Sequence, residues 1–525
     1  MVAVSPMVIT MRRDKGRLNL VARSVAALCA GLTLAVPVWA DAWRVETNAQ
    51  ATAVASNNVG LTSSQAAESD VVLTVTPQVQ VTGLGAGYRL EGDVGFDGIT
   101  YLARTRSDHL YPRARLGLNA QVVERLLYVE TALDADTTAQ NAFGVLSEGA
   151  SDLNRSTVTR ERVSPYLRRE LSPNSVLLIR SDNSWTQTSN AQGAGGSTSR
   201  SDVHAHVLRY ELMPRPLGLQ VQLARLDSQS DILAGSNGGQ VTFDTARVSL
   251  LYAPVSDFYV GVTGGRDRGA YGSTDTSGTL SGVILRWLPT PRTDLYASAE
   301  KRFFGTGWNG RFTHRSPFLV ISSSLSRDAS TYAAELASLS PDSSVASLLD
   351  AGLTSRVTDP LERQQAVNDA IRQRGLPRAL NGAVTMSSRF AQLVQAVDAS
   401  MALLGTRHTV VLRGFQRTTQ DLLGPTDAVT TLTSANSRQR GLSLTASRRL
   451  TPDTTADIGY TYSRVVGFGP TAGQRTVNKT VRLGVSHNLS PRTTIAVGLR
   501  HRQIDSTIVT TAQESAVFVG ALHRF

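Results

Sequence analysis

Cysteine is nearly absent. Cys29 is the only one among 525 residues, and it lies in a segment that reads as a secretory leader. Residues 41–525 therefore hold no disulfide and no thiolate metal site. Lysine is scarce too: Lys15, Lys301 and Lys479 are the only three among 53 basic residues. The rest are arginines, whose planar fork grips carboxylate, sulfate or phosphate through paired hydrogen bonds. Aromatics make up 6% of the chain, and no basic patch is interleaved with them, which argues against nucleic acid despite a net charge of +11. No stretch beyond the leader approaches the roughly 18 consecutive apolar residues of a membrane-spanning helix. If this chain enters a membrane, it does so as strands.

Arg12, Arg13, Lys15, Arg17 and Arg23 precede an apolar run from Val25 to Val38, and Val38-Trp39-Ala40 stands before Asp41. This pattern predicts a signal peptide over residues 1–40, with Met1, Met7 or Met11 as the start. An uncleaved anchor is the alternative, but the run is short and is broken by Gly31 and Pro37. Leu28 before Cys29 argues against a lipoprotein. At the other end, Ser515-Ala516-Val517-Phe518-Val519-Gly520-Ala521-Leu522-His523-Arg524-Phe525 alternates and stops on an aromatic. Such an ending fits the closing strand of an outer-membrane barrel, with Phe525 at the periplasmic interface as the signal for the barrel-assembly machinery.

Strand periodicity fills most of the remaining chain. Ala114, Leu116, Leu118, Ala120 and Val122 alternate with Arg113, Arg115, Asn119 and Gln121; Val481, Leu483 and Val485 alternate with Thr480, Arg482 and Ser486. Successive side chains point to opposite faces of a strand, so each segment has an apolar side and a polar side. Many segments run ten residues or more, longer than sandwich strands usually are. Near copies of one turn recur at Leu171-Ser172-Pro173-Asn174-Ser175, Leu450-Thr451-Pro452-Asp453-Thr454 and Leu489-Ser490-Pro491-Arg492-Thr493. Proline suits these turns because it has no N–H to give a ladder.

The pattern predicts an all-β fold: a transmembrane antiparallel outer-membrane β-barrel of about 22 strands, within a range of 18 to 24, since such barrels have even counts. The expected first strand covers Trp43–Ala55, and Ser316-Pro317 divides a doubtful pair. Residues 327–381 break the pattern with a helical insertion in one extracellular loop. Asp359-Pro360 supplies a helix start, and Gly375 with Pro377 a stop. The insertion is expected as a cap, a plug or a surface loop.

Little catalytic chemistry is legible. His204 and His206 share a strand face, but no acidic or cysteine ligand adjoins them, so no metal or cofactor is expected. No Gly-x-Ser-x-Gly motif occurs, and Gly83-Leu84-Gly85-Ala86-Gly87 lacks the Lys-Ser/Thr of a phosphate loop and reads as a hairpin turn. The polar face is the one candidate. Arg89, Arg113, Arg115, Arg247, Arg286, Arg302, Arg413, Arg482 and Arg500 all fall opposite an apolar face, hence toward a lumen. Rings of charge select passengers by sign. Alternatively, these arginines pair with Glu91, Asp93, Glu130 and Glu300 and brace the wall.

Several residues together resemble one family, the outer-membrane β-barrel proteins associated with PEP-CTERM and exopolysaccharide loci. They are Trp43, Asn57-Asn58 (where Asp-Asn is expected), Asp70-Val71-Val72 and Thr76-Pro77. Further along come Thr358-Asp359-Pro360-Leu361-Glu362-Arg363, Gly375-Leu376-Pro377 and Leu404-Gly405-Thr406-Arg407-His408-Thr409. The resemblance covers most of residues 41–525 and implies a passive, non-enzymatic conduit or accessory in exopolysaccharide export. Expected partners are outer-membrane lipid and lipopolysaccharide, the barrel-assembly machinery, the polysaccharide itself and a periplasmic export partner. An uptake porin and a plugged structural or assembly barrel are the alternatives.

Overall fold

The computed structural model describes residues 40–525 apart from positions 140, 146–153, 191–197, 232–239, 273, 339–344, 355, 374–375, 377–379, 381, 387, 389, 424–433 and 509–510. The predicted leader, except Ala40, and the predicted helix stop at Gly375 and Pro377 lie outside the described residues. Twenty-two strands follow one another: β1 (Ala40–Ser56), β2 (Asp70–Gly85), β3 (Tyr88–Tyr101), β4 (His109–Val123), β5 (Leu127–Ala139), β6 (Arg155–Ser172), β7 (Ser175–Asn190), β8 (Thr198–Leu212), β9 (Leu217–Ser230), β10 (Gln240–Val255), β11 (Phe258–Tyr271), β12 (Thr274–Thr290), β13 (Thr293–Arg302), β14 (Gly305–Arg315), β15 (Leu319–Ser330), β16 (Ala391–Leu404), β17 (His408–Leu423), β18 (Ser437–Arg449), β19 (Thr454–Gly467), β20 (Arg475–Ser490), β21 (Thr493–Ser506) and β22 (Ala512–Arg524). Each pairs antiparallel with the next, and β22 closes the ring on β1, from Asn48 opposite Arg524 to Ser56 opposite Ala516. The count is the predicted 22, and Ser316-Pro317 falls in the turn between β14 and β15.

Closure leaves no sheet edge, which is what allows strands to cross a bilayer. The outer wall is apolar and uncovered: Val45, Leu250, Val262, Val283 and Val519 are each more than half exposed. In water such a surface would drive aggregation; facing lipid tails it is at home. Trp43, Tyr252 and Trp287 stand on this face close to the short turns, at the level where aromatic rings settle between hydrocarbon and headgroups. The turns at this end are two to four residues long, and this is the periplasmic end. The loops opposite are mostly longer. The chain is an integral outer-membrane β-barrel.

Among the described residues, the long connection between β15 and β16 contains three helices, α1 (Tyr332–Ser338), α2 (Val345–Leu353) and α3 (Pro360–Gln373). Asp359 caps α3 as predicted, accepting the Glu362 N–H at 3.1 Å. The boundaries differ from the expected 327–381. Arg327 to Ser330 continue β15 and pair with Gln395 to Gln392, and regular strand resumes only at Ala391. The polar run Ser326–Ser330 does not read as a membrane strand, because this part of the ladder lies at the extracellular end of the wall, where neither face needs to be apolar.

Candidate functional site

The connection leaves the wall at the extracellular end and turns inward. Thr331 shares a hydrogen bond with Ser228 at 2.8 Å, and α1 then bridges the lumen. The Leu336 carbonyl accepts from Arg160 on β6, while Glu335 pairs with Arg417 on β17 at 2.6 Å. In a ring of 22, β6 and β17 lie eleven strands apart, on opposite walls.

Below α1, α2 docks on the inner wall near its periplasmic end. Val345, Leu348 and Leu349 pack with Val320 of β15, Ala402 and Leu404 of β16 and Val411 of β17; Val367 and Ile371 of α3, with Leu376 and Leu380, complete this cluster. A side chain on Gly352 would place its Cβ 2.7 Å from Leu404 Cδ1, so glycine sets how closely helix and wall approach. Arg356 reaches the periplasmic turn, donating to the Pro317 carbonyl and stacking 4.8 Å over Phe318. The chain then returns upward. Leu380 accepts from Arg413 at 3.1 Å, and Val384 exchanges two hydrogen bonds with Gln439 at 2.9 and 2.8 Å.

The described parts of residues 331–390 thus contact the inner wall from its extracellular end to its periplasmic end. Two polar cavities flank the segment. One of about 510 Å³ separates α2 and α3 from the β2–β6 wall and is lined by Gln80, Thr82, Glu91, Asp93, Asn119 and Glu130, among others. The other, about 600 Å³, opens toward Arg44, Arg492 and Phe525 at the periplasmic mouth.

Strand alternation puts all nine predicted arginines on the inner face, and eight have carboxylate partners. Arg89 pairs with Glu91 at 2.8 Å and also donates to Gln364 of α3 at 3.0 Å. Arg113 meets Asp97 at 3.4 Å, Arg115 meets Asp136 at 3.1 Å and Arg286 meets Asp294 at 3.2 Å. Arg413 meets Asp398 at 2.7 Å, and Arg500 meets Glu514 at 2.8 Å. Arg247 and Arg302 share Glu300 at 3.1 and 3.8 Å, and Arg302 also pairs with Asp267. Arg482 differs: it lies 4.6 Å over the Phe518 ring and lines the cavity at the periplasmic mouth. Of the nine, it is the one with no carboxylate within ion-pair distance among the described residues. Phe525 is 73% exposed; its N–H donates to the Thr47 carbonyl at 3.1 Å and its ring meets His523 edge-on.

The β10–β15 side of the lumen is filled differently. Asp267, Glu300 and Arg302 are buried together, and toward the extracellular end Val241, with Phe243 and Tyr271, packs against Ala391 and Leu423. His204 and His206 are on the outer face, where His204 bonds Asn183 at 2.8 Å and stands edge-on to Trp185. Among the described residues no group of three His, Cys, Asp or Glu could hold a metal.

The sequence reading missed the docking surface. Its signal was present: Leu319-Val320-Ile321, Met401-Ala402-Leu403-Leu404 and Val410-Val411-Leu412 are runs in which both faces turn apolar at one end of three successive strands. Such a run needs an apolar partner inside as well as lipid outside.

No protein-family model and no curated relative matches the chain. Among solved structures it is similar to the FrpB iron transporter from Neisseria meningitidis, at 9% identity and a TM-score of 0.38, over 91% of this chain and 82% of that one. It is also similar to BauA, the ferric preacinetobactin receptor from Acinetobacter baumannii, at 10% identity and 0.44, over 92% and 81%. A third is the ferric citrate transporter FecA, at 10% identity and 0.38, over 91% and 79%.

Proposed function

We propose that this barrel is a gated, non-enzymatic conduit across the outer membrane, held closed at rest by residues 331–390. One observation carries the reading: α2 and α3 form an apolar core with the inner wall at the periplasmic end of the lumen. Barrels of this strand number have a lumen wide enough for an aqueous channel unless something fills it. The linings of the flanking cavities support a polar passenger. Amide, hydroxyl and carboxylate side chains hydrogen-bond hydroxyl-rich molecules, and Arg482 and Arg492 add positive charge at the mouth. Direction and passenger rest on the family resemblance, which points outward and to an extracellular polysaccharide.

The passenger is tested by clean deletion of the gene, with polymer measured in periplasm and medium beside a complemented strain. Polymer lost from the medium and trapped in the periplasm is the expected result. Unchanged secretion would remove export of that polymer and leave the gated pore to be tested with small solutes.

A second reading, a permanently plugged barrel with a structural role at the surface, draws on the extracellular end. There Phe143 packs with Val465, Val384 and Met386, and Leu61 packs with Val145, Ile504 and Ala512. A purified barrel that stays silent even when residues 331–390 are removed would favour it.

A further inference from the structure

Among the described residues, the β18–β20 part of the outer wall carries a group of positive charges with no carboxylate partner. Arg438 and Arg440 lie at the extracellular end of β18, Arg464 near that end of β19, and Lys479 on β20. All four are exposed and alternate with inward residues such as Gln439, which bonds Val384 inside the lumen. They therefore point outward. Two positions nearer the periplasm on the same face stand Leu442, Tyr462 and Val481. The cations thus sit directly above the apolar band, where the hydrocarbon meets the headgroups of the outer leaflet.

Arg440 is directly opposite Arg464 in the ladder, and like charges in that position repel. The one side-chain partner found among the described residues is Gln416, which accepts from Arg440 at 2.8 Å; no described carboxylate pairs with any of the four. The other charged sector of the outer wall is arranged differently. Arg225 is matched with Asp227 at 2.7 Å and Arg268 with Asp275, and with Asp244 beside them three acids face Arg225, Arg266 and Arg268. An arginine pair at the lipid interface with no carboxylate partner among the described residues calls for an anion, and phosphate is what the guanidinium fork fits best.

We infer that the β18–β20 face is a docking site for the phosphorylated glycolipid of the outer leaflet. Arg440 and Arg464 clasp a headgroup phosphate between them, Lys479 and Arg438 flank it, and the acyl chains lie down the apolar wall below. This site is independent of what passes through the lumen.

The test uses the intact barrel in non-ionic detergent, titrated with rough lipopolysaccharide and followed by native mass spectrometry. The Arg440→Gln/Arg464→Gln double variant is expected to bind about tenfold more weakly or worse, as lost bidentate phosphate contacts imply. The same lipid stripped of its phosphates should bind the unaltered barrel comparably weakly, and Arg225→Gln/Arg268→Gln should change nothing. Equal binding by the double variant, or by the dephosphorylated lipid, would overturn the inference. Displacement of the lipid by inorganic phosphate at matched concentration would also overturn it, by assigning the site to a free anion. Should the double variant fail to fold, Lys479→Gln alone must still weaken binding, and no change there is equally decisive.

Discussion

Replacing residues 331–390 with a short Gly/Ser linker from Ser330 to Ala391 should turn a nearly silent barrel into an open pore. In planar bilayers the conductance should rise by about an order of magnitude, as expected when the lumen of a wide barrel loses its filling. The physical reason lies in the division of labour between wall and segment. The 22 strands satisfy one another's backbone and close without help from within, so the ring should survive the loss. The segment depends on the wall, through the cluster around Leu349 and Val320 and through Arg89, Arg413, Arg417 and Gln439. A milder variant, Leu349→Asp, buries a carboxylate in that cluster and should destabilise docking by several kcal/mol. It should produce intermittent openings in place of a steady current. Conductance unchanged in both variants would mean that the lumen is blocked by something else.

The second large effect belongs to the wall itself. Arg302→Ala should lower barrel stability by about 3–5 kcal/mol, read as the unfolding midpoint in urea or as the temperature at which the folded band disappears from a gel. Arg302 is held among Asp267, Glu300 and Asp328, and Asp267 and Glu300 are almost completely buried. Removing the cation leaves two carboxylates in a confined space with Arg247 alone to answer them. The pairs do not act independently, so Arg302→Ala/Asp267→Asn should cost less than the sum of the single changes. Arg268→Gln, which breaks an exposed pair on the outer wall, should leave the midpoint where it is. Equal effects from Arg302 and Arg268 would show that the buried network braces nothing.

The two faces of each strand explain what could be read in advance. Alternation such as Val481, Leu483 and Val485 against Arg482 appears in the sequence as a period of two, and the turns around Pro173, Pro452 and Pro491 mark one end of the ring. Strand number, closure and the inward direction of the arginines follow from those signals. The partners of the arginines do not. Arg115 finds Asp136 and Arg302 finds Asp267 across strands, and no local spacing announces which acid stands beside which base. The course of residues 331–390 was hidden for a related reason. A helix start at Asp359-Pro360 is a local property, whereas docking on Val320, Ala402 and Val411 is a long-range one. Of the motifs that carried the family resemblance, one lies within the segment and another in the wall beneath it. Thr358 to Arg363 begin α3, and Leu404 to Thr409 form the periplasmic turn beneath α2. The outward pair Arg440 and Arg464 was invisible until register placed them opposite one another.

The central claim is that residues 331–390 close the lumen by resting on its inner wall. With Cys29 the sole native thiol, an engineered pair is unambiguous. Gly352→Cys with Leu404→Cys joins α2 to β16 at the point where a Cβ on residue 352 would meet the Leu404 side chain. The decisive measurement is the bilayer conductance of this variant, oxidised and then reduced. The account predicts that the bond forms in the assembled barrel, that the oxidised form shows no openings under any voltage or solute that opens the native barrel, and that reduction restores them. A pair that never cross-links, or a cross-linked barrel that conducts as freely as the reduced one, would contradict it.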